Sequence, residues 1–476
     1  MRFPFAPHRG SIRGAPQRWR FSGDLLMLKG PKNEPPEPAP RMTFLLSRGG
    51  ASPKGKFYPR HFRMLAEAFA PESAWTSDAG GQKPGEWVLV IRAPSSYALV
   101  PTADNPGGVL SVFDQIAEEE YALLRGKGGM LLLDLGWEAL FPRAVVVSGL
   151  INSLAARDLD PGRVAILHSN EGAGAAFAAE WQAHTTLPQP RNLAFPAGFA
   201  MGLVHQHRTT SEEWRAMRLE AACASLFSAA KPRRYNLFNG NARLHRLYLT
   251  AFLLSRGFLE IGHVSMLGYD KKKKDASLAR SMLDRNLKSL PFHDSVSPFF
   301  GQLIQALPMA LDLESEKFME SGQNLEKIAF ASQASVYYDE TYVSLVTDTL
   351  YFDQNTRFMT EKPMKPLMNA APQLYFGNAG ALRRMRCLGF EPSGMMFDEA
   401  YDDELDDMRR LEMLLDHVSA LNTMPLTELR ERAIASWPAC RHNFEHFYGD
   451  AFGVFAAEFR TRVLAELSQD PVVNSV

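Results

Sequence analysis

Residues 351–390 read YFDQNTRFMTEKPMKPLMNAAPQLYFGNAGALRRMRCLGF and bring a carboxylate, two ammonium groups and a glycine turn close together. Thr360-Glu361-Lys362 and Lys365 open a helix-like run. An apolar strand follows, ends at Gly377-Asn378-Ala379-Gly380, and gives way to a basic helix. Ammonium groups neutralise an anion, and the backbone N–H groups at a helix start add partial positive charge. A carboxylate such as Glu361 accepts charge-assisted hydrogen bonds from ribose or sugar hydroxyls. The chemistry this set suits is recognition of a polar, anionic ligand.

A second set lies upstream, where the turn Asn239-Gly240-Asn241 is followed by Arg243, His245 and Arg246. Together with Lys362 and Lys365, the two arginines could neutralise a phosphate pair without a metal. Each group also has a plainer reading. Glu361 and Lys362 could be surface charges at a helix start, and Arg243, His245 and Arg246 could pair with the acidic loop 402–407. His205-Gln206-His207 lacks a third ligand at recognisable spacing and reads as a polar loop, so no metal site is expected. A Walker phosphate loop, a GxSxG elbow and an HExxH helix are all missing.

The elements that must position these residues follow an alternating pattern. EWVLVIRAP, GMLLLD and GRVAILHSN are compact apolar runs and read as buried strands. SVFDQIAEEEYALLRGKGG, residues 144–158 and GAGAAFAAEWQAH have helical spacing between and after them. Strand and helix in alternation predict a parallel sheet with crossovers, whose ligands sit beyond the carboxyl ends of the strands. That nominates Asp134, Glu138, His168 and Asn170. Lys231-Pro232 breaks a long helix, and a second cycle begins with a strand over YNLF, the helix ARLHRLYLTAFLLSRG and the segment EIGHVSML. TYVSLVTDT leads from a strand into a turn at Thr347-Asp348-Thr349. Near the end, CRHNFEHFYGDAFGVFAAEFRTRVLAEL is a broken amphipathic helix whose aromatic face needs an apolar surface to cover.

The chain of 476 residues exceeds what one core of about 200 residues holds, so two domains are expected. We place a basic, proline-rich arm at 1–41, a first domain at 42–230 and a second at 231–476. With 52 basic and 53 acidic residues the net charge is −1, which gives no global attraction to nucleic acid or membrane. Three scattered cysteines fit a reducing compartment and a cytoplasmic location. No run of about 20 apolar residues predicts a membrane span. The arginine-rich start superficially suggests a transit peptide, but Pro4, Pro7 and Pro16 break the helix one needs. The tetralysine at 271–274 reads as a solvated loop, with a phosphate patch as the alternative.

The segment SLVTDTLYFDQNTRFMTEKPMKPLMNAAPQLYFG resembles the donor-binding segment of the fucosyltransferase-like glycosyltransferases. There a hydroxyl-bearing strand end precedes a TEK helix start and a further strand with glycine. FMTEKPMKPL carries the TEK core. The family's phenylalanine-glutamate-asparagine-serine run is replaced by Val346-Thr347-Asp348-Thr349, and its proline-valine-valine by Pro372-Gln373-Leu374. GNAGALRRMRCLGF, FNGNARLHR and HNFEHF are similar to stretches of bacterial and phage proteins of like build.

The resemblance implies an α/β, GT-B-like fold of two Rossmann-like domains facing a cleft, with a C-terminal helix packing back across. It implies a nucleotide-diphosphate sugar as co-substrate, with no further cofactor. The donor set is Asn239, Arg243, Arg246, Thr349, Thr360, Glu361, Lys362, Lys365 and Asn378. Glu138 or Asp134 of the first domain would act as general base on a hydroxyl of a glycan, protein or other acceptor, in an inverting, metal-independent transfer. Two other functions are weighed beside it. One is a glycan- or nucleotide-binding protein without turnover. The other is a transferase acting on nucleic acid through the basic arm and the tetralysine.

Overall fold

Two all-parallel sheets carry the fold. The computed structural model describes residues 43–46, 64–65, 67–68, 75–76, 87–92, 113–114, 116–127, 129–135, 140, 142–228, 230–268, 276–285, 287–311, 335–352, 357–391 and 395–468. The arm 1–41, Glu138 and the tetralysine lie outside these residues.

The first sheet comprises β1 (Thr43–Leu46), β2 (Trp75–Thr76), β3 (Trp87–Arg92), β4 (Met130–Asp134), β5 (Val164–His168) and β6 (Arg191–Ala194). Its order is β2-β1-β3-β4-β5-β6. Period-two alternation divides its side chains between two cores. Leu89, Ile91, Leu131, Leu133, Val164 and Ile166 face one, closed by helices α1 (Glu118–Lys127), α2 (Ala144–Ala155) and α3 (Ala173–His184). Val88, Val90, Leu132, Ala165, Leu167 and Leu193 face the other, which continues into the second half of the chain. Each fully buried aliphatic side chain contributes about 1.5–3 kcal/mol.

That second core also holds α4 (Gly198–His207) and α5 (Glu212–Ser228). His205-Gln206-His207 therefore ends a helix and is not a loop. Ala200, Met201, Leu203 and Val204 bury one face of α4, and His207 follows them inward beside Phe447. His205 meets Glu67 at 3.2 Å. The strand β6, RNLA, goes unread in the sequence because it is short and carries two polar residues.

The second sheet has β7 (Arg233–Asn239), β8 (Gly262–Met266), β9 (Thr341–Thr347) and β10 (Gln373–Phe376), in the order β10-β9-β7-β8. Helix α6 (Leu244–Ser255) follows β7, and α7 (Ala381–Cys387) follows β10. The α/β, two-sheet build expected of a GT-B-like fold is thus present, and the change of sheet falls just after Lys231-Pro232. Residues 41–476 nevertheless form one compact unit.

The described residues end in four helices: α8 (Asp407–Thr423), α9 (Leu426–Ala435), α10 (Trp437–Tyr448) and α11 (Ala451–Ser468). Asp406 caps α8 by accepting the Met408 and Arg409 amides, both at 2.8 Å. The last helix packs back on the first sheet, as expected. Phe459 meets Phe195 edge to face at 5.2 Å, and Arg191 reaches the carbonyls of Glu466 and Leu467 at 2.7 and 3.0 Å. Phe444, Phe447, Tyr448 and Phe455 are buried there, so the aromatic face has its cover.

Candidate functional site

The carboxyl end of β9 organises the site. Its residues are all buried, and the chain leaves the sheet at Asp348, which is fully buried too. The Asp348 carboxylate accepts the Thr349 amide at 2.5 Å, the Thr360 amide at 3.1 Å and the Thr360 hydroxyl at 2.5 Å. It also accepts the Tyr375 hydroxyl from β10. Gly377 makes that last contact feasible, because a Cβ there would run into the Tyr375 ring. The Asp348 carbonyl accepts Nη2 of Arg246 at 2.7 Å and Nε2–H of His245 at 2.9 Å.

Lys362 sits over this arrangement. Its Nζ is 3.2 Å from Thr349 Oγ1, 3.3 Å from Thr360 Oγ1 and 3.3 Å from Glu361 Oε1. Lys365 Nζ lies 3.6 Å from the same glutamate oxygen. Burial alone would raise the Glu361 pKa, but Lys365 and Lys362 outweigh it and hold the group at about 2. The side chains of Glu361, Lys362 and Lys365 are 19%, 24% and 18% exposed, so they form a half-enclosed cluster and not the solvated surface charges also considered.

Arg243 and Arg246 belong to the same field. Burial, and then Arg246, Arg243 and Lys362, push His245 down to about 3, so its imidazole is neutral. Arg246 feels Asp348, Arg243 and Glu361 in turn. Neither arginine pairs with the acidic loop 402–407 in any contact found among the described residues. Arg246 instead bonds the carbonyls of Asn241, Thr347 and Asp348. Four cations against the carboxylates of Asp348 and Glu361 leave a surplus of two positive charges.

Several buried donors here find no acceptor among the described residues. Asn239 takes the Thr347 hydroxyl on Oδ1 at 2.5 Å, which leaves its Nδ2 unfilled. Nε of Arg243 and of Arg246 are unfilled as well, and so are both amide atoms of Asn378, a residue 6% exposed. Buried polar groups are rarely left so, since each costs about 1–3 kcal/mol. A ligand with anionic oxygens would fill the donors.

The glycine turn behaves differently from the anion cradle that its sequence suggests. Gly380 has φ +75°, which glycine adopts freely, and its N–H bonds the Asp402 carbonyl at 2.6 Å. The Asp402 carboxylate then accepts the Leu382 and Arg383 amides, each at 2.9 Å. The amino terminus of α7 is filled by the protein's own anion.

On the first sheet, Asp134 ends β4 and is fully buried. His168 is buried at the end of β5, and burial lowers its pKa to about 4 while Asn192 opposes the shift. Its Nδ1 accepts the Asn170 amide at 3.1 Å. Asn170 Oδ1 accepts the Gly172 and Arg357 amides at 3.0 and 3.2 Å, and Met359 N bonds Pro196 O at 3.0 Å. The loops after β5 and β6 thus meet residues 357–359, immediately before Thr360. An ion-pair group reinforces this seam: Arg384 reaches Glu171 at 3.0 Å and Glu458 at 2.6 Å, and Arg462 reaches the same two at 2.7 and 3.0 Å.

Asp348, Tyr375 and His245 adjoin the sequence-derived set and are missing from it. The available signal was an aspartate between two threonines directly after an all-buried strand. A water-sized cavity of about 20 Å³, lined by Lys231, Asp339 and Cys440, and a larger one of about 230 Å³, lined by Arg125, Asp160 and Arg163, lie at the opposite, amino ends of the strands. Among the described residues no three His, Cys, Asp or Glu side chains are placed to hold a metal ion, and no helix is long and apolar enough to cross a membrane.

Compared with protein-family models the chain matches none, and no curated protein matches it. It is similar in structure to the N-terminal domain of trehalose-6-phosphate phosphatase from Candida albicans, at 8% identity and a TM-score of 0.42 over 91% of this chain and 98% of that one. It is also similar to alpha,alpha-trehalose 6-phosphate synthase from Burkholderia multivorans, at 12% identity and a TM-score of 0.36 over 90% and 98%. Neither of these is a fucosyltransferase, and at these scores the likeness decides nothing about substrate.

Proposed function

We propose that the chain is a glycosyltransferase that binds a nucleotide-diphosphate sugar at the carboxyl ends of β7, β9 and β10 and passes the sugar to a hydroxyl acceptor. The observation that carries this reading is the surplus of positive charge beside the unfilled donors of Asn239, Arg243 and Arg246. Leaving-group charge on a diphosphate would be stabilised by Lys362, Arg243 and Arg246, because fixed positive groups lower a barrier most where negative charge develops. Glu361 is ionised and would accept donor hydroxyls, with Lys365 and Asn378 completing the wall and Thr349 and Thr360 holding the Lys362 ammonium.

The general base falls to Asp134, at the end of β4, or to Glu138, outside the described residues, and a single inverting displacement without a metal is the corresponding chemistry. The TEK resemblance supports a hexosyl or fucosyl donor. The full burial of Asp134 favours one rival, a nucleotide-binding protein without turnover. Release of labelled sugar from a panel of sugar nucleotides, with and without chelator, separates the two. Turnover that Lys362→Ala and Glu361→Ala abolish supports the transferase; binding without turnover in the wild type supports the rival; a requirement for added manganese contradicts the metal-free route.

A further inference from the structure

We infer that Asp348 is a positioning residue that sets the Lys362 ammonium through Thr360 and Thr349, an inference that rests on the donor-site reading above. All four groups around the Asp348 carboxylate are donors: two backbone amides and the hydroxyls of Thr360 and Tyr375. A carboxylate in that setting only accepts, so the Thr360 hydroxyl proton is committed to it. The remaining lone pairs of Thr360 Oγ1 then face two donors of Lys362, its Nζ at 3.3 Å and its backbone N at 3.4 Å.

Thr349 is held through its backbone. Its amide is fixed on Asp348, and its Oγ1 meets the ammonium at 3.2 Å. Two of the three oxygens around Lys362 are therefore anchored by one buried carboxylate that does not itself touch the lysine in any contact found. Direction matters as much as distance. A Thr360 hydroxyl free to rotate would sample several rotamers, of which only some aim a lone pair at the ammonium. With the hydroxyl locked, the cation is placed before the ligand arrives, and less ordering remains to be done on binding.

A double-mutant cycle on the full chain tests this, using UDP, GDP and inorganic pyrophosphate as probes and equilibrium dialysis as readout. Lys362→Ala and Thr360→Val are each expected to weaken binding about tenfold. The double variant is expected to be no weaker than Lys362→Ala alone, because Thr360 acts only through the lysine. Thr360→Ser keeps the hydroxyl and is expected to restore wild-type affinity. Multiplying losses in the double variant, or wild-type affinity in Thr360→Val, would overturn the positioning role and leave the donor site standing. Wild-type protein that binds none of the probes would overturn the donor site and this inference with it. If Thr360→Val fails to fold, Thr349→Ala carries the same cycle with the same outcomes.

Discussion

The carboxylate of Asp402 accepts the backbone N–H of Leu382 at 2.9 Å and so occupies the helix start that the glycine turn presents. The proposed donor site accordingly places an external anion at β7, α6 and Lys362 and not at α7. Replacing Asp402 by alanine removes a cap and is expected to lower stability by about 1 kcal/mol. Urea unfolding checks that figure. Nucleotide affinity is expected to stay within twofold of wild type, and a large loss would place the anion at α7 instead.

The seam beside the site depends on Arg384, which is 16% exposed and lies between Glu171 and Glu458. Arg384→Met leaves two carboxylates with Arg462 as their remaining cation in this group. A loss of about 1–2 kcal/mol is expected, between the values for exposed and buried pairs. Arg409→Met, at an exposed pair with Glu412, is the control and is expected to leave the urea midpoint close to that of the wild type. Equal losses in the two variants would contradict a structural role for the seam.

Stability is expected to fall with acid in two stages. Burial holds His168 at about 4 and His245 at about 3, against about 6.5 in the unfolded chain. Below pH 6.5 the unfolded chain takes up these protons while the folded protein refuses them. Stability is therefore intact above that pH and declines toward pH 4, by on the order of 3 kcal/mol for His168 alone. Glu361, ordinarily near 4.5 and held at about 2, adds a loss between those two values. Urea midpoints across this range check the slope, and His168→Gln should flatten the upper stage.

Gly377→Ala tests the Tyr375 contact from the other side. The added methyl meets the Tyr375 ring, so the hydroxyl must leave Asp348 or the strand end must shift. Overpacking of this kind costs about 1–3 kcal/mol. Weakened nucleotide binding should accompany the lost stability, whereas unchanged binding would show that β10 does not support the site.

Alternation and apolar runs made most strands of both sheets legible in the sequence, because parallel strands buried on both faces are nearly continuous hydrophobic segments. Thr360, Glu361 and Lys362 were legible as a group because their types are unusual together. Asp348 was not, since its importance comes from Tyr375 and Thr360, which lie 27 and 12 residues away and meet it only in the fold. Helix α4 escaped because its two histidines hide an amphipathic pattern. The filled amino terminus of α7 escaped because Asp402 comes 20 residues after Leu382.

Binding of a nucleotide diphosphate by the groups at the ends of β7 and β9 is measured most directly by calorimetric titration of the full chain with UDP, GDP, ADP and CDP. Saturable binding of at least one, weakened about tenfold or more in Arg246→Met, is the predicted result. No binding of any of the four, or equal affinity in wild type and variant, would contradict the account.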